Sequence, residues 1–159
     1  PSALVLDFDG VFTPNTVLVF PDGTEAAQCN RSDGAGLARI KRAGVPILVL
    51  SAEENPVVSA RCEKLGLPCK QGVSDKRPVL LDWLREQGVD PAHAIYIGND
   101  LPDIPCMQAV GCGVAVADAH AEVLDAADIV LRTPGGQGAI RELVDLITET
   151  AREQKEASR

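Results

Sequence analysis

Ala3-Leu4-Val5-Leu6-Asp7-Phe8-Asp9-Gly10-Val11-Phe12-Thr13 is the stretch from which the fold is read. Its first four residues are apolar without alternation, as expected of a strand buried on both faces. Such strands belong to parallel sheets covered by helices on both sides. The two aspartates that follow, at i and i+2 of an extended segment, point to one side. Carboxylates crowded in this way repel unless a cation lies between them. Magnesium suits such hard oxygen donors and usually shares its shell with substrate phosphate. One carboxylate can also act as a nucleophile and form an aspartyl-phosphate. The plainer alternative is a pair of capping aspartates in a strand-to-loop turn.

Beyond this stretch, apolar runs alternate with helical patterns, which predicts an α/β, Rossmann-like parallel sheet sandwiched by helices. Val17 to Phe20 and Thr24 to Cys29 flank Pro21-Asp22-Gly23, the signature of a β-hairpin. A helix is expected over Asp33–Ala43, stopped by Gly44, and a buried strand over Pro46–Leu50. Asn55-Pro56 reads as a cap and first helical residue, with Gly66 closing that helix. A short strand near Cys69, a helix over Ser74–Gln87 and a strand over Ala94–Ile97 come next. Two short strands, at 114–116 and 129–131, precede a last helix over Ala139–Thr150. Trp83 falls at helical spacing and is expected in the core.

The 159 residues, 45% of them apolar, suffice for one domain with a real core. That domain is expected over 1–147, with a flap hairpin at 16–29 and a polar tail at 148–159. The longest apolar runs, such as Val45–Leu50, are strand-length, far short of the ~20 residues that cross a bilayer. No membrane partner and no export signal are therefore expected. A net charge of −8 argues against a nucleic-acid partner, which needs a positive footprint. The five cysteines include no CxxC pair, so a reducing cytoplasm fits better than a disulfide framework or a zinc site. His93 and His120 have no partners at ligand or triad spacing and are expected on loops or the surface.

In open parallel sheets, ligands bind beyond the carboxyl ends of the strands. Ser51 ends the second buried strand, where a hydroxyl can hold a phosphate oxygen. Lys76 falls at a helix start, a place the helix dipole disfavours for a cation, but beyond a strand end it can neutralise phosphate. Gly98-Asn99-Asp100-Leu101-Pro102-Asp103 supplies a third oxygen-rich cluster. Each piece alone is a common turn or cap; four in this order, each at a strand end, are specific.

These motifs resemble the haloacid dehalogenase superfamily of phosphohydrolases, from Leu4 to about Leu146. The resemblance implies Asp7 as nucleophile and magnesium ligand. Asp9 would be the general acid that then activates water, its backbone carbonyl ligating the metal. Ser51 would bind phosphate, and Lys76 would neutralise charge. Gly98 to Asp103 would be the fourth motif. There the family usually places an acid directly after the glycine, and this sequence has Asn99. Either Asn99 or Asp100 would complete the metal site, with Asp103 orienting Lys76 or a metal-bound water.

The 43 residues between Asp7 and Ser51 are occupied by the hairpin and a helix, so no cap domain is expected. The hairpin resembles the flap of the capless sugar-acid phosphatases, which implies a homotetramer whose neighbouring subunit covers the site. Arg31-Ser32-Asp33-Gly34-Ala35-Gly36 and Pro134-Gly135-Gly136-Gln137-Gly138 are similar to segments of the 3-deoxy-manno-octulosonate-8-phosphate phosphatases. Glu53 and Lys64 look like the nine-carbon branch, which acts on nonulosonate 9-phosphates. Arg31, Asp33, Gly34, Glu53 and Lys64 are the substrate-binding candidates that follow. Alternatively, Glu53 and Lys64 are exposed charges flanking a helix, and Arg31 and Asp33 a cap and a surface pair. The competing function is a non-catalytic oligomerisation domain associated with an acylneuraminate cytidylyltransferase, an idea that Asn99 feeds. A phospho-acceptor signalling domain fits poorly, because both aspartates of the pair come from the first strand.

Overall fold

The computed structural model describes residues 1–157. Eight strands and six α-helices follow in chain order. They are β1 (Ala3–Leu6), β2 (Leu18–Val19), β3 (Glu25–Ala26), α1 (Arg31–Arg42), β4 (Ile47–Leu50), α2 (Pro56–Leu65) and β5 (Cys69–Lys70), then α3 (Lys76–Glu86), β6 (Ala94–Gly98), α4 (Ile104–Met107), β7 (Cys112–Ala115), α5 (Ala121–Ala126), β8 (Ile129–Val130) and α6 (Ala139–Ala157). Six strands form one sheet in the order β5-β4-β1-β6-β7-β8, every pairing parallel. The four residues of β1 and of β4 are all buried, as continuous apolar runs between helix layers must be. β1 lies between β4 and β6, with Leu4 opposite Ile47 on one side and Ile95 on the other. The chain winds outward from β1 to β5, then returns past β1 to build β6, β7 and β8. The connections leaving β1 and β6 therefore run to opposite sides, which opens a crevice at the carboxyl ends of these two neighbours.

Local chemistry sets the element ends. Asn30 caps α1 by accepting from the Ser32 N–H at 2.8 Å, and Asn55 caps α2 in the same way through Val57. Pro56 opens α2, and Gly66, at φ +60, closes it in the left-handed conformation.

Three expectations are revised. The hairpin strands β2 and β3 shrink to two residues each, because Val17, Leu18, Val19 and Phe20 stand exposed with no second layer to bury them. The last helix does not end at Thr150 but runs to Ala157. The strand expected at 114–116 starts at Cys112 instead. Gly113 permits this, since a Cβ there would meet the Cβ of Met107 at 2.8 Å. Helices α4 and α5, too short for a periodic signal, were not anticipated. Among the described residues no helix is long and apolar enough to cross a membrane. Among the described residues no cap domain is inserted into the sheet.

Candidate active site

Asp7 is the first residue past β1, its N–H still donating to the Ile97 carbonyl of β6 at 3.0 Å. The loop then turns sharply, with Phe12 N–H bonding back to the Phe8 carbonyl at 2.9 Å. The Phe8 and Phe12 rings stack with centroids 5.2 Å apart, and both are buried. This aromatic pair pins the loop to the core while the aspartates face the crevice. Gly10 sits between them at φ +80, where a Cβ would fall 1.9 Å from the outer atom of the Asn99 amide, so only glycine fits. The glycine-rich segment at 134–138 packs on the outside of the same loop. A Cβ on Gly135 would lie 1.8 Å from the Gly10 carbonyl oxygen, and Gly136 N–H donates to Val11 O at 3.0 Å. These glycines buttress the aspartate loop, backbone against backbone.

An open cleft of about 580 Å³ lies over this loop. It is lined by Asp7, Asp9, Ser51, Glu53, Lys76, Asn99, Asp100 and Asp103, together with Asn15 and Val17 at the hairpin end. Lys76 starts α3, and its ammonium is buried between two carboxylates. It donates to Asp7 Oδ1 at 2.7 Å and to Asp103 Oδ1 at 2.8 Å. Burial pulls its pKa down, but the two acids outweigh that and hold it raised, so it is fully charged. This pairing offsets the unfavourable helix start.

Burial, and next the charge of Asp103, raise the Asp7 carboxyl to about 7 against the opposing pull of Lys76. Asp9 is half-buried and also raised, first by burial and then by the facing Glu53. Ser51 Oγ accepts from the Glu53 N–H at 3.1 Å, which leaves its own proton free for a ligand oxygen. Glu53 Oε1 is tied down by the N–H groups of Glu54 and Asn55 at 2.7 and 2.9 Å.

One member of this network is not among the sequence candidates. Tyr96 lies in the middle of β6, fully buried, and reads as core. Its hydroxyl donates to Asp103 Oδ1 at 2.6 Å, the same oxygen that holds Lys76. The other oxygen of Asp103 accepts from the N–H groups of Asn99 and Asp100 at 3.0 and 3.2 Å. Asp103 is thereby fixed through both oxygens and fixes Lys76 in turn. A buried tyrosine needs a partner for its hydroxyl, and that need was the available hint.

Asn99, not Asp100, stands at the carboxylate cluster. The inward atom of its amide lies 3.1 Å from Asp7 Oδ2 and 2.8 Å from the Asp9 carbonyl oxygen. The exposed Asp100 turns its Oδ1 to the Leu101 N–H at 2.7 Å. The oxygen–oxygen edge of an octahedron with magnesium bond lengths is about 2.8–3.0 Å. With Oδ1 inward, Asn99 therefore joins Asp7 Oδ2 and the Asp9 carbonyl at a spacing and with a donor type that fit magnesium. Among the described residues no three His, Cys, Asp or Glu side chains are grouped so as to hold a metal ion by themselves. A cation here would rest on one carboxylate, one amide and one carbonyl.

Four of the substrate-binding candidates stand apart from this cleft. Asp33 is buried in the first turn of α1, where its Oδ1 accepts the Arg141 N–H at 2.9 Å and so caps α6. Burial raises its carboxyl to about 6. A Cβ on Gly34 would meet Leu65 Cδ2 at 2.9 Å, so this glycine lets α1 and α2 approach. Arg31 and Lys64 are exposed and do not line the cleft. Of that set only Glu53 reaches it. His120 caps α5 through the Glu122 N–H, and Trp83 is core, as its spacing predicts.

A family model of haloacid dehalogenase-like hydrolases matches residues 70–143. The 3-deoxy-D-manno-octulosonate 8-phosphate phosphatase of Escherichia coli strain K12 is 36% identical over 91% of this chain and 77% of its own. A solved HAD-family hydrolase from Streptomyces avermitilis is 48% identical, with a TM-score of 0.87, over 89% of this chain and 81% of its own. The octulosonate phosphatase of Moraxella catarrhalis, solved with magnesium, phosphate and its sugar acid, is 28% identical. Its TM-score is 0.90, over 93% of this chain and 86% of its own. The chain belongs to the haloacid dehalogenase-like hydrolases. Within them it is a phosphatase related to the 3-deoxy-D-manno-octulosonate 8-phosphate enzymes.

Proposed function

We propose that this phosphatase is a magnesium-dependent phosphomonoester hydrolase of phosphorylated sugar acids, working through an aspartyl-phosphate on Asp7. The substrate is a nonulosonate 9-phosphate or 3-deoxy-manno-octulosonate 8-phosphate. The observation that carries the reading is the division of Asp7 between two partners. Its Oδ1 faces the Lys76 ammonium and its Oδ2 faces the Asn99 amide, which also reaches the Asp9 carbonyl, at the floor of an open cleft.

Asp7 Oδ2, the Asp9 carbonyl and Asn99 Oδ1 would hold the metal, which when bound supplies the positive charge that lets a phosphate dianion approach a carboxylate. Asp7 attacks phosphorus and displaces the sugar oxygen, to which Asp9 gives its proton. Water then attacks the aspartyl-phosphate, its proton passes to Asp9, and Asp7 is regenerated with release of phosphate. The raised proton affinity of Asp9 suits the first step. Lys76 and the Ser51 hydroxyl neutralise and orient the phosphoryl oxygens, while Asp103 keeps Lys76 in place. Glu53, held rigid at the cleft wall, faces the sugar.

The exposed apolar side chains Val17 to Phe20 support the packing of hairpins between copies, as a homotetramer requires. Five free thiols support a cytoplasmic setting. The test is phosphate release, with and without magnesium, from octulosonate 8-phosphate and nonulosonate 9-phosphates, with Asp7→Asn as control. Magnesium-dependent release that vanishes in the control is expected. Silence from every substrate, with magnesium still bound, would return the non-catalytic oligomerisation domain.

A further inference from the structure

We propose that the Asn99 side chain is a metal-responsive rotor. Without metal its Nδ2 points inward and ties Asp7 to the Asp9 carbonyl; with magnesium the amide turns over and presents Oδ1. The proposal rests on the magnesium site argued above and concerns what stands there when the cation leaves.

The inward position of the amide is bordered by two acceptors, Asp7 Oδ2 at 3.1 Å and the Asp9 carbonyl at 2.8 Å. An oxygen placed there without a cation faces oxygen on both sides. A nitrogen placed there donates to both. The backbone of Asn99 leaves only this freedom. Its N–H is held by Asp103 Oδ2 at 3.0 Å, and its carbonyl accepts the His120 N–H at 2.8 Å. Gly10 walls the amide so closely that a Cβ there would overlap it. A half-turn of the planar amide exchanges oxygen for nitrogen within nearly the same envelope, so it needs no movement of the wall.

The charges explain what the rotor does. Lys76 reaches Oδ1 of Asp7 and must also serve Asp103, so Oδ2 has no cation when metal is absent. The inward amide N–H supplies the missing donor to that oxygen. An aspartate at position 99 has no such second face; it would place another carboxylate against Asp7 and make the site depend on metal. Asn99 thus keeps the cluster assembled without a cation. In exchange, magnesium must break two hydrogen bonds and finds one negative charge fewer, which weakens its binding.

The experiment uses the full chain stripped of metal, with magnesium alone as the ligand. Calorimetric titration and thermal melts compare the wild type with Asn99→Asp. The variant is expected to melt lower than wild type without metal, to gain more from magnesium, and to bind it about tenfold tighter or better. In ¹⁵N-labelled wild type, the Asn99 side-chain amide signal is expected to be exchange-protected without metal and to lose that protection on magnesium binding. A variant that melts as high as wild type without metal, or binds magnesium no tighter, overturns the rotor. If the variant does not fold, the wild-type amide signal decides, and an unmoved signal at saturating magnesium overturns the rotor alone. A wild type that binds no magnesium overturns both the rotor and the magnesium reading beneath it.

Discussion

Replacing the proposed nucleophile should make the metal-free protein more stable. Asp7, Asp103 and Lys76 are buried together, two negative charges against one positive. The Asp7 carboxyl is raised from 3.8 to about 7, mainly by burial and then by Asp103. Because the folded value lies above the unfolded one, its contribution to stability is fully present below about pH 4. It is lost as the pH rises through about 7. At roughly 1.4 kcal/mol per unit, the ionised group costs on the order of 4 kcal/mol at pH 8. With the Asn99 amide nitrogen inward, as proposed above, its hydrogen bond to Oδ2 would return about 1.5–3 kcal/mol of this. Asp7→Asn removes the charge at nearly constant shape and leaves Lys76 paired with Asp103. A net gain of on the order of 1–3 kcal/mol is expected, or about 2–12 °C in Tm for a chain of this size. The assay is thermal melting in EDTA at pH 5 and pH 8, repeated at pH 8 with magnesium. The variant should melt higher at pH 8, the gap should shrink at pH 5, and magnesium should close it by stabilising only the wild type. A variant that melts no higher than wild type at pH 8, or a gap indifferent to pH, would refute the charge argument.

Tyr96→Phe deletes one hydrogen bond to a charged acceptor without leaving a cavity. It should cost about 1.5–3 kcal/mol, seen in melts, and lower kcat with little change in KM as Lys76 loses its fixed anchor. Asp33→Ala separates a cap from a substrate contact. The loss of the α6 cap should cost about 1–2 kcal/mol and leave KM for the sugar phosphate unchanged in steady-state assays; a raised KM would restore Asp33 to the substrate site. Gly135→Ala forces its Cβ against the Gly10 carbonyl and displaces the aspartate loop. A shift of this kind should cost up to about 10²-fold in kcat, with the fold retained by circular dichroism.

The sequence by itself determined the sheet and the positions that end its strands. The apolar runs of β1, β4 and β6 and the Asn and Gly caps are local signals, written in neighbouring residues. Asp7, Asp9, Ser51, Lys76 and Asp103 were legible because each follows a strand that must point into the crevice. What the tertiary structure alone decided are the contacts made across distance in the chain. Asp33 reads as a surface or substrate residue until α6 arrives from 108 residues away to be capped. Tyr96 reads as core until its hydroxyl meets Asp103. The glycines at 135 and 136 read as a flexible loop until the Gly10 and Thr13 carbonyls close on them. Between Asn99 and Asp100, both oxygen-bearing neighbours, only the turn after β6 fixed which faces Asp7. Periodicity records which face of an element is apolar. It carries no information about which distant polar atom a buried side chain will meet, and at this site those meetings set the charge.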